Sequence, residues 1–147
     1  MIEITPDAAR IMVDHAKAAY PKECCGILIG SEIAGGKSDI GQRTATLAIA
    51  CHNAYEGDQK DRFLIDPKDQ IAAERHARTL GLGVIGFFHS HPDEGAYFSQ
   101  TDLKNHWPFY SNVVISTRQG DFADVKCFRI DIDQSASEEE ELLWPKF

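Results

Sequence analysis

The chain has 147 residues, of which 43% are hydrophobic, and a formal net charge of −8 at pH 7. That is enough apolar material for one core of ordinary domain size without disulfide staples, and it excludes broad disorder. The acidic balance argues against a nucleic acid backbone as main partner, and no apolar run approaches the ~20 residues that span a bilayer.

Met1-Ile2-Glu3-Ile4-Thr5 has no basic stretch followed by an apolar one, so no secretion signal is expected and the expected compartment is the cytoplasm. Thr5-Pro6-Asp7 reads as a helix start, with a hydroxyl for the N-cap and a proline where its missing N–H does no harm. Ala8, Ile11, Met12, Ala16 and Ala19 recur at helical spacing until Pro21 ends the helix. Cys24 to Ile29 is a short apolar run that suits a buried strand. Residues 31–43, rich in glycine and polar side chains, read as a loop or hairpin connection, and Thr44 to Cys51 as a second strand. Asn53 to Asp61 reads as a loop and Arg62 to Ile65 as a short strand. Asp66-Pro67 repeats the helix-start signal for a helix running to about Leu80.

Leu82 to His91 is the most strand-like segment of the chain. Ser99 to about Trp107 reads as a short helix. Ser111 to Thr117 and Phe122 to Asp131 read as strands joined by a turn at Gln119-Gly120-Asp121. From Gln134 on, the acidic run Glu138 to Glu141 followed by Leu142, Leu143 and Trp144 is expected to be a short terminal helix or a loose acidic tail. The pattern predicts one α/β domain over residues 1–133, a mixed sheet with helices packed on it, and a tail over 134–147. The four cysteines, Cys24, Cys25, Cys51 and Cys127, form no CxxC pair and read as buried free thiols.

The chemistry is concentrated in Gly86-Phe87-Phe88-His89-Ser90-His91-Pro92 and the later Ser99-Gln100-Thr101-Asp102. Residues two apart in an extended chain share a face, so His89 and His91 converge at the end of a buried strand. Two imidazoles there need partners, and a zinc ion is a fitting one. Pro92 stops the strand, Gly95 lets the chain turn back, and Ser99 stands as a helix N-cap. The first helical turn then brings Asp102 up as a third ligand, leaving a fourth position for water. His15, His52, His76 and His106 read as ordinary surface or core residues. Other His-x-His families fit poorly. The barrel amidohydrolases need about 250 residues, and the metallo-β-lactamase pattern requires a histidine and an aspartate just after His91, where the chain has Pro92-Asp93-Glu94.

These residues resemble the JAMM (MPN-plus, Mov34-type) zinc metallopeptidases, small prokaryotic members in particular. Glu23 before Cys24-Cys25-Gly26-Ile27-Leu28-Ile29-Gly30 is similar to the family's glutamate and first strand. His89-Ser90-His91-Pro92 and Ser99-Gln100-Thr101-Asp102 are similar to its two later motifs, and Asn53 and Phe63-Ile65-Asp66-Pro67 match as well. Many members have proline where this chain has Phe98. The resemblance covers residues 2 to about 130. It implies a cytidine-deaminase-like curved mixed sheet with helices on two sides. It further implies one Zn²⁺ on His89, His91 and Asp102, with Glu23 moving the proton of a bound water and Ser99 steadying the oxyanion. The implied activity is hydrolysis of the peptide or isopeptide bond after the C-terminal glycine of a ubiquitin-like or sulfur-carrier protein. A non-catalytic scaffold and a zinc amidohydrolase on a small molecule are the alternatives. The full motif set argues against the first. The second would be told apart by a screen of carrier fusions against small amides.

Overall fold

Helix α1 (Pro6–Ala19) begins where the sequence marks it, with the Thr5 hydroxyl accepting the Ala8 N–H at 3.4 Å. Its buried face, Ala8, Ala9, Met12, Val13 and Ala16, lies on a sheet built from strands β1 (Ile2–Ile4), β2 (Cys25–Ile33) and β3 (Gln42–Cys51). Helix α2 (Pro67–Thr79), strand β4 (Gly83–Pro92), helix α3 (Gln100–Asn105) and strands β5 (Ser111–Arg118), β6 (Asp121–Ile130), β7 (Ser137–Glu140) and β8 (Leu142–Leu143) complete the chain. The computed structural model describes residues 1–33 and 41–146. Among these, the strands form one sheet in the order β7-β6-β5-β4-β2-β3-β1-β8. It is mixed: β4 pairs parallel with β5, and β1 parallel with both β3 and β8, while the remaining pairs are antiparallel.

Alternation along β2 explains why helices cover both faces. Leu28 packs with Met12, Phe88, Val113 and Ile115 on the α1 side, whereas Ile27 and Ile29 pack with Phe87, Ala73 and Ala77 on the α2 side. Strands buried on both faces read as the continuous apolar runs seen at 24–29 and 84–88. Gly26 is required where β2 crosses β4, because a Cβ there would collide with the Phe88 ring and the Ile49 carbonyl.

Three expectations change. The connection 31–43 is strand at both ends, since β2 continues to Ile33 and β3 starts at Gln42; residues 34–40 lie outside the described residues. Arg62 to Ile65 is not a strand: Leu64 ties to Ala54 and Asn53, but among the described residues no second strand runs alongside. The segment after Gln134 is neither helix nor loose tail. It supplies β7 at one end of the sheet and β8 at the other, with Glu141 alone between them and its carbonyl accepting the Ile2 N–H at 2.9 Å. The sheet therefore curls until its two ends are bridged by a single residue.

A buried polar chain seals that seam. Arg43 donates to Ser111 Oγ at 3.0 Å, and Ser111 donates to Glu140 Oε1 at 2.8 Å. Arg129 reaches Glu140 through Nη2 at 3.3 Å, with Nε 3.0 Å from Oε1 but off the line of a hydrogen bond. Burial alone would push the Glu140 carboxyl up, yet the Arg129 and Ser111 bonds outweigh it and hold it below the usual range.

Candidate metal centre

Strand β4 ends in the middle of the sheet, flanked by β2 and β5, so the side chains at its C-terminal end are buried without being in the apolar core. His89 and His91 fall on one face there, as the period of two requires. The loop 93–98 returns the chain to Ser99, which opens α3 with a full capping box. Ser99 Oγ accepts the Asp102 N–H at 3.0 Å, and Asp102 Oδ2 accepts the Ser99 N–H at 3.0 Å. That cap turns Asp102 toward the strand end. Its Oδ2 lies 3.1 Å from His89 Nε2 and 3.3 Å from His91 Nε2. All three residues are buried, and one ligand atom from each lies within 4.8 Å of the others.

Zinc bonds of ~2.0–2.1 Å in a tetrahedron place neighbouring ligands ~3.3–3.4 Å apart, so the two carboxylate–imidazole separations are those of tetrahedral edges. Two imidazoles and one carboxylate with an open corner form a catalytic rather than a structural zinc set. The surroundings orient the rings. His91 Nδ1 donates to the Gly95 carbonyl at 3.0 Å, which leaves Nε2 as the lone-pair nitrogen. His89 lies flat on Phe63, with ring centroids 4.7 Å apart and planes 25° off parallel. Burial would raise the Asp102 carboxyl, but His89, His91 and the Ser99 N–H hold it far below the ordinary range; burial would lower His91, but the bond to Asp102 and its charge, with the Gly95 carbonyl and Glu94, together raise it.

Glu23 reaches this place through backbone clamps. Its N–H donates to the Gln59 carbonyl at 2.7 Å, and its carbonyl accepts from Asn53 Nδ2 at 3.3 Å. The next residue, Cys24, exchanges bonds with Ser90, between the two histidines, at 2.8 and 3.2 Å. The Glu23 side chain is buried and its Oε1 has no hydrogen-bond partner among the described residues. Burial, and then the Asp102, Asp61 and Glu94 carboxylates, push it up from 4.5 to about 9. A buried carboxyl oxygen without a partner, close enough to Asp102 to feel its charge, fits a site able to hold a metal ion and its water.

Asn53 organises the loop facing the site. Its amide donates to Glu23 and Arg62 carbonyls, and its oxygen accepts from Tyr55 and Leu64 N–H groups. Because Leu64 turns both backbone groups inward, those of Phe63 and Ile65 face the other way, and they make no hydrogen bond among the described residues. Beside this edge lies a cavity of about 500 Å³ whose walls include Phe63, Leu64, Ile65, Asp102, His106 and Trp107.

The structure places His89, His91, Asp102, Ser99 and Glu23 in this region. His106, read from the sequence as an ordinary surface or core residue, is buried. It sits one helical turn after Asp102, with Nδ1 2.7 Å from the Asp102 carbonyl and its ring 5.5 Å from that of His89. Burial lowers His106 to about 4. Phe98 packs against His106 and Phe128 at ring distances of 5.3 and 5.6 Å. The four cysteines are free and buried, as read from the sequence.

The chain belongs to the family of prokaryotic homologs of the JAB domain, whose model matches residues 5–131. Among curated relatives it is similar to the CysO-cysteine peptidase of Mycobacterium tuberculosis, 29% identical over 140 residues that span 95% of this chain and 88% of the relative. It is also similar to the desampylase of Haloferax volcanii, 27% identical over 120 residues that span 78% and 80%. Among solved structures, protein DSY2949 from Desulfitobacterium hafniense superposes with a TM-score of 0.80 at 29% identity, covering 100% of this chain and 94% of that one. A JAB1/MPN domain protein from Archaeoglobus fulgidus shares the fold, with a TM-score of 0.55 at 21% identity, covering 98% and 99%.

Proposed function

We propose that this chain is a zinc-dependent peptidase that hydrolyses the peptide or isopeptide bond after the C-terminal glycine of a ubiquitin-like or sulfur-carrier protein. The observation that carries the reading is the convergence of three ligand atoms, from His89, His91 and Asp102, beside the buried, unpartnered oxygen of Glu23. The names of the mycobacterial and haloarchaeal relatives support the substrate class. Zinc held by these three residues would supply Lewis acidity and lower the pKa of a water at its open corner toward ~7.

The rest is done by the chain. With a cation beside it to hold it ionised against its burial, Glu23 would take the proton of the attacking water and pass it to the departing amine, and no hydrogen bond among the described residues engages its carboxyl. Ser99 accepts the Asp102 N–H with a lone pair, so its own hydroxyl hydrogen is free for the carbonyl oxygen that gains charge. Such a donor is typically worth ~2.7–4 kcal/mol in the transition state. Phe63 and Ile65 offer an unpaired backbone edge along which an extended Gly-Gly tail can pair.

The test is incubation of the zinc-loaded protein with carrier fusions carrying a C-terminal peptide or cysteine after Gly-Gly, followed by intact-mass analysis. The expected product ends at the second glycine and disappears with chelator. His89→Ala and Asp102→Ala should lose both cleavage and zinc by elemental analysis. Cleavage that persists in either variant after chelation overturns the reading.

A further inference from the structure

We propose that His106 is a substrate-positioning residue whose Nε2 binds the backbone of the substrate tail in the cavity beside the site. This rests on the tail-hydrolase reading above and adds a residue to it.

The argument starts from the two ring nitrogens. Nδ1 lies 2.7 Å from the Asp102 carbonyl. A carbonyl only accepts, so Nδ1 carries the hydrogen and is spent on closing α3 at its C-cap. Nε2 makes no hydrogen bond among the described residues, although the residue is only 6% exposed. The nest around the ring is aromatic: Phe63 at 5.3 Å and Phe98 at 5.3 Å. Such a nest would accommodate a phenyl ring at least as well, and an asparagine could satisfy the carbonyl. Nε2 is not sealed from solvent, so a group entering the cavity can take the place of water on it.

The cavity supplies the place. His106 is in its wall next to Asp102, and Phe63 lines the same cavity with its ring in contact with the imidazole. An extended peptide carries backbone donors and acceptors on two edges. One edge is met by the free groups of Phe63 and Ile65. The other faces the wall contributed by α3 and its end, Thr101, Asp102, Asn105, His106 and Trp107, of which Asp102 and His106 are the buried ones. The ring is held for the task. Gln134 donates to the His106 carbonyl at 2.6 Å, so the turn before β7 fixes the cap from behind.

Two conservative variants separate this role from helix capping. In His106→Asn the side-chain amide occupies the place of Nδ1 and nothing replaces Nε2; in His106→Gln the amide reaches the place of Nε2 and the cap is lost. Binding of a synthetic hexapeptide ending in Gly-Gly is measured by calorimetry, together with KM for the carrier fusion, zinc content and Tm. His106→Asn should keep Tm and zinc stoichiometry while peptide Kd and KM rise by about three- to tenfold, the range of one neutral hydrogen bond. His106→Gln should lower Tm and bind the peptide within about twofold of wild type. Wild-type peptide affinity in His106→Asn, with the damage confined to His106→Gln, overturns the proposal and leaves the residue as a helix cap. A wild-type protein that cleaves no tail fusion and binds no such peptide sinks both this inference and the function it rests on.

Discussion

Replacing Glu23 with glutamine separates the stability effect of its carboxyl from its chemistry. The side chain is 4% exposed, and its surroundings raise it from 4.5 to about 9 through burial and the neighbouring Asp102, Asp61 and Glu94 carboxylates. The folded pKa lies above the unfolded one. Between those two values the folded protein holds a proton that the unfolded chain has released, so stability falls as pH rises through that window. The loss is about 1.4 kcal/mol per pH unit, or about 3 kcal/mol by pH 7. Glutamine has the same shape and does not titrate. In chelated protein, Glu23→Gln should therefore gain on wild type as pH rises from 4.5 toward 9, by about 3 kcal/mol at pH 7 relative to pH 4. An unfolding entropy of ~2.1 cal/mol/K per residue makes that roughly 10 °C in Tm for a chain of this length. Scanning calorimetry between pH 4 and 8 in chelator measures it. With zinc restored, the same variant should keep the metal and lose about 10²–10⁴ in turnover, the usual contribution of a positioned base. A Tm difference that stays flat across the pH range would refute the buried placement, and full turnover would remove Glu23 from the mechanism.

Two further outcomes test the seam and the cap. Glu140→Ala leaves the 9%-exposed Arg129 without its carboxylate and should cost about 3–5 kcal/mol in urea unfolding at pH 7. Because the folded pKa of Glu140 is depressed, its contribution is present above the ordinary carboxylate range and fades as pH falls through the folded value, so the difference from wild type should shrink in acid. Ser99→Ala removes an N-cap and the hydroxyl donor together. It should lose about 1 kcal/mol of stability and about 10²–10³ in kcat, with a smaller rise in KM; a loss of stability alone would assign Ser99 to capping only.

Much of the site was legible before any coordinates because its logic is local. A period of two puts His89 and His91 on one face, and the three-residue capping-box spacing orients Asp102 through Ser99. Helices α1 and α2 announced themselves with Thr5-Pro6 and Asp66-Pro67, since a cap oxygen and a proline at the first position are determined by neighbours in sequence. Glu23 was different. Its local sequence marks only a residue before a strand, and resemblance alone singled it out.

What the chain could not specify locally was decided by contacts distant in sequence. Arg62 to Ile65 has strand composition, but a ladder requires a second strand, and the fold gives this segment only Asn53 and Ala54 on one side. The acidic tail carries no helical or strand period of its own; it becomes β7 and β8 because Arg129 and Ser111, 11 and 29 residues before Glu140, and the open edge of β1 at the other end of the chain await it. His106 joins the site only because α3 lies over β4 beside Phe63. Periodicity and caps are written in neighbouring residues, whereas sheet closure and the walls of a cavity depend on surfaces that meet only after the chain has folded.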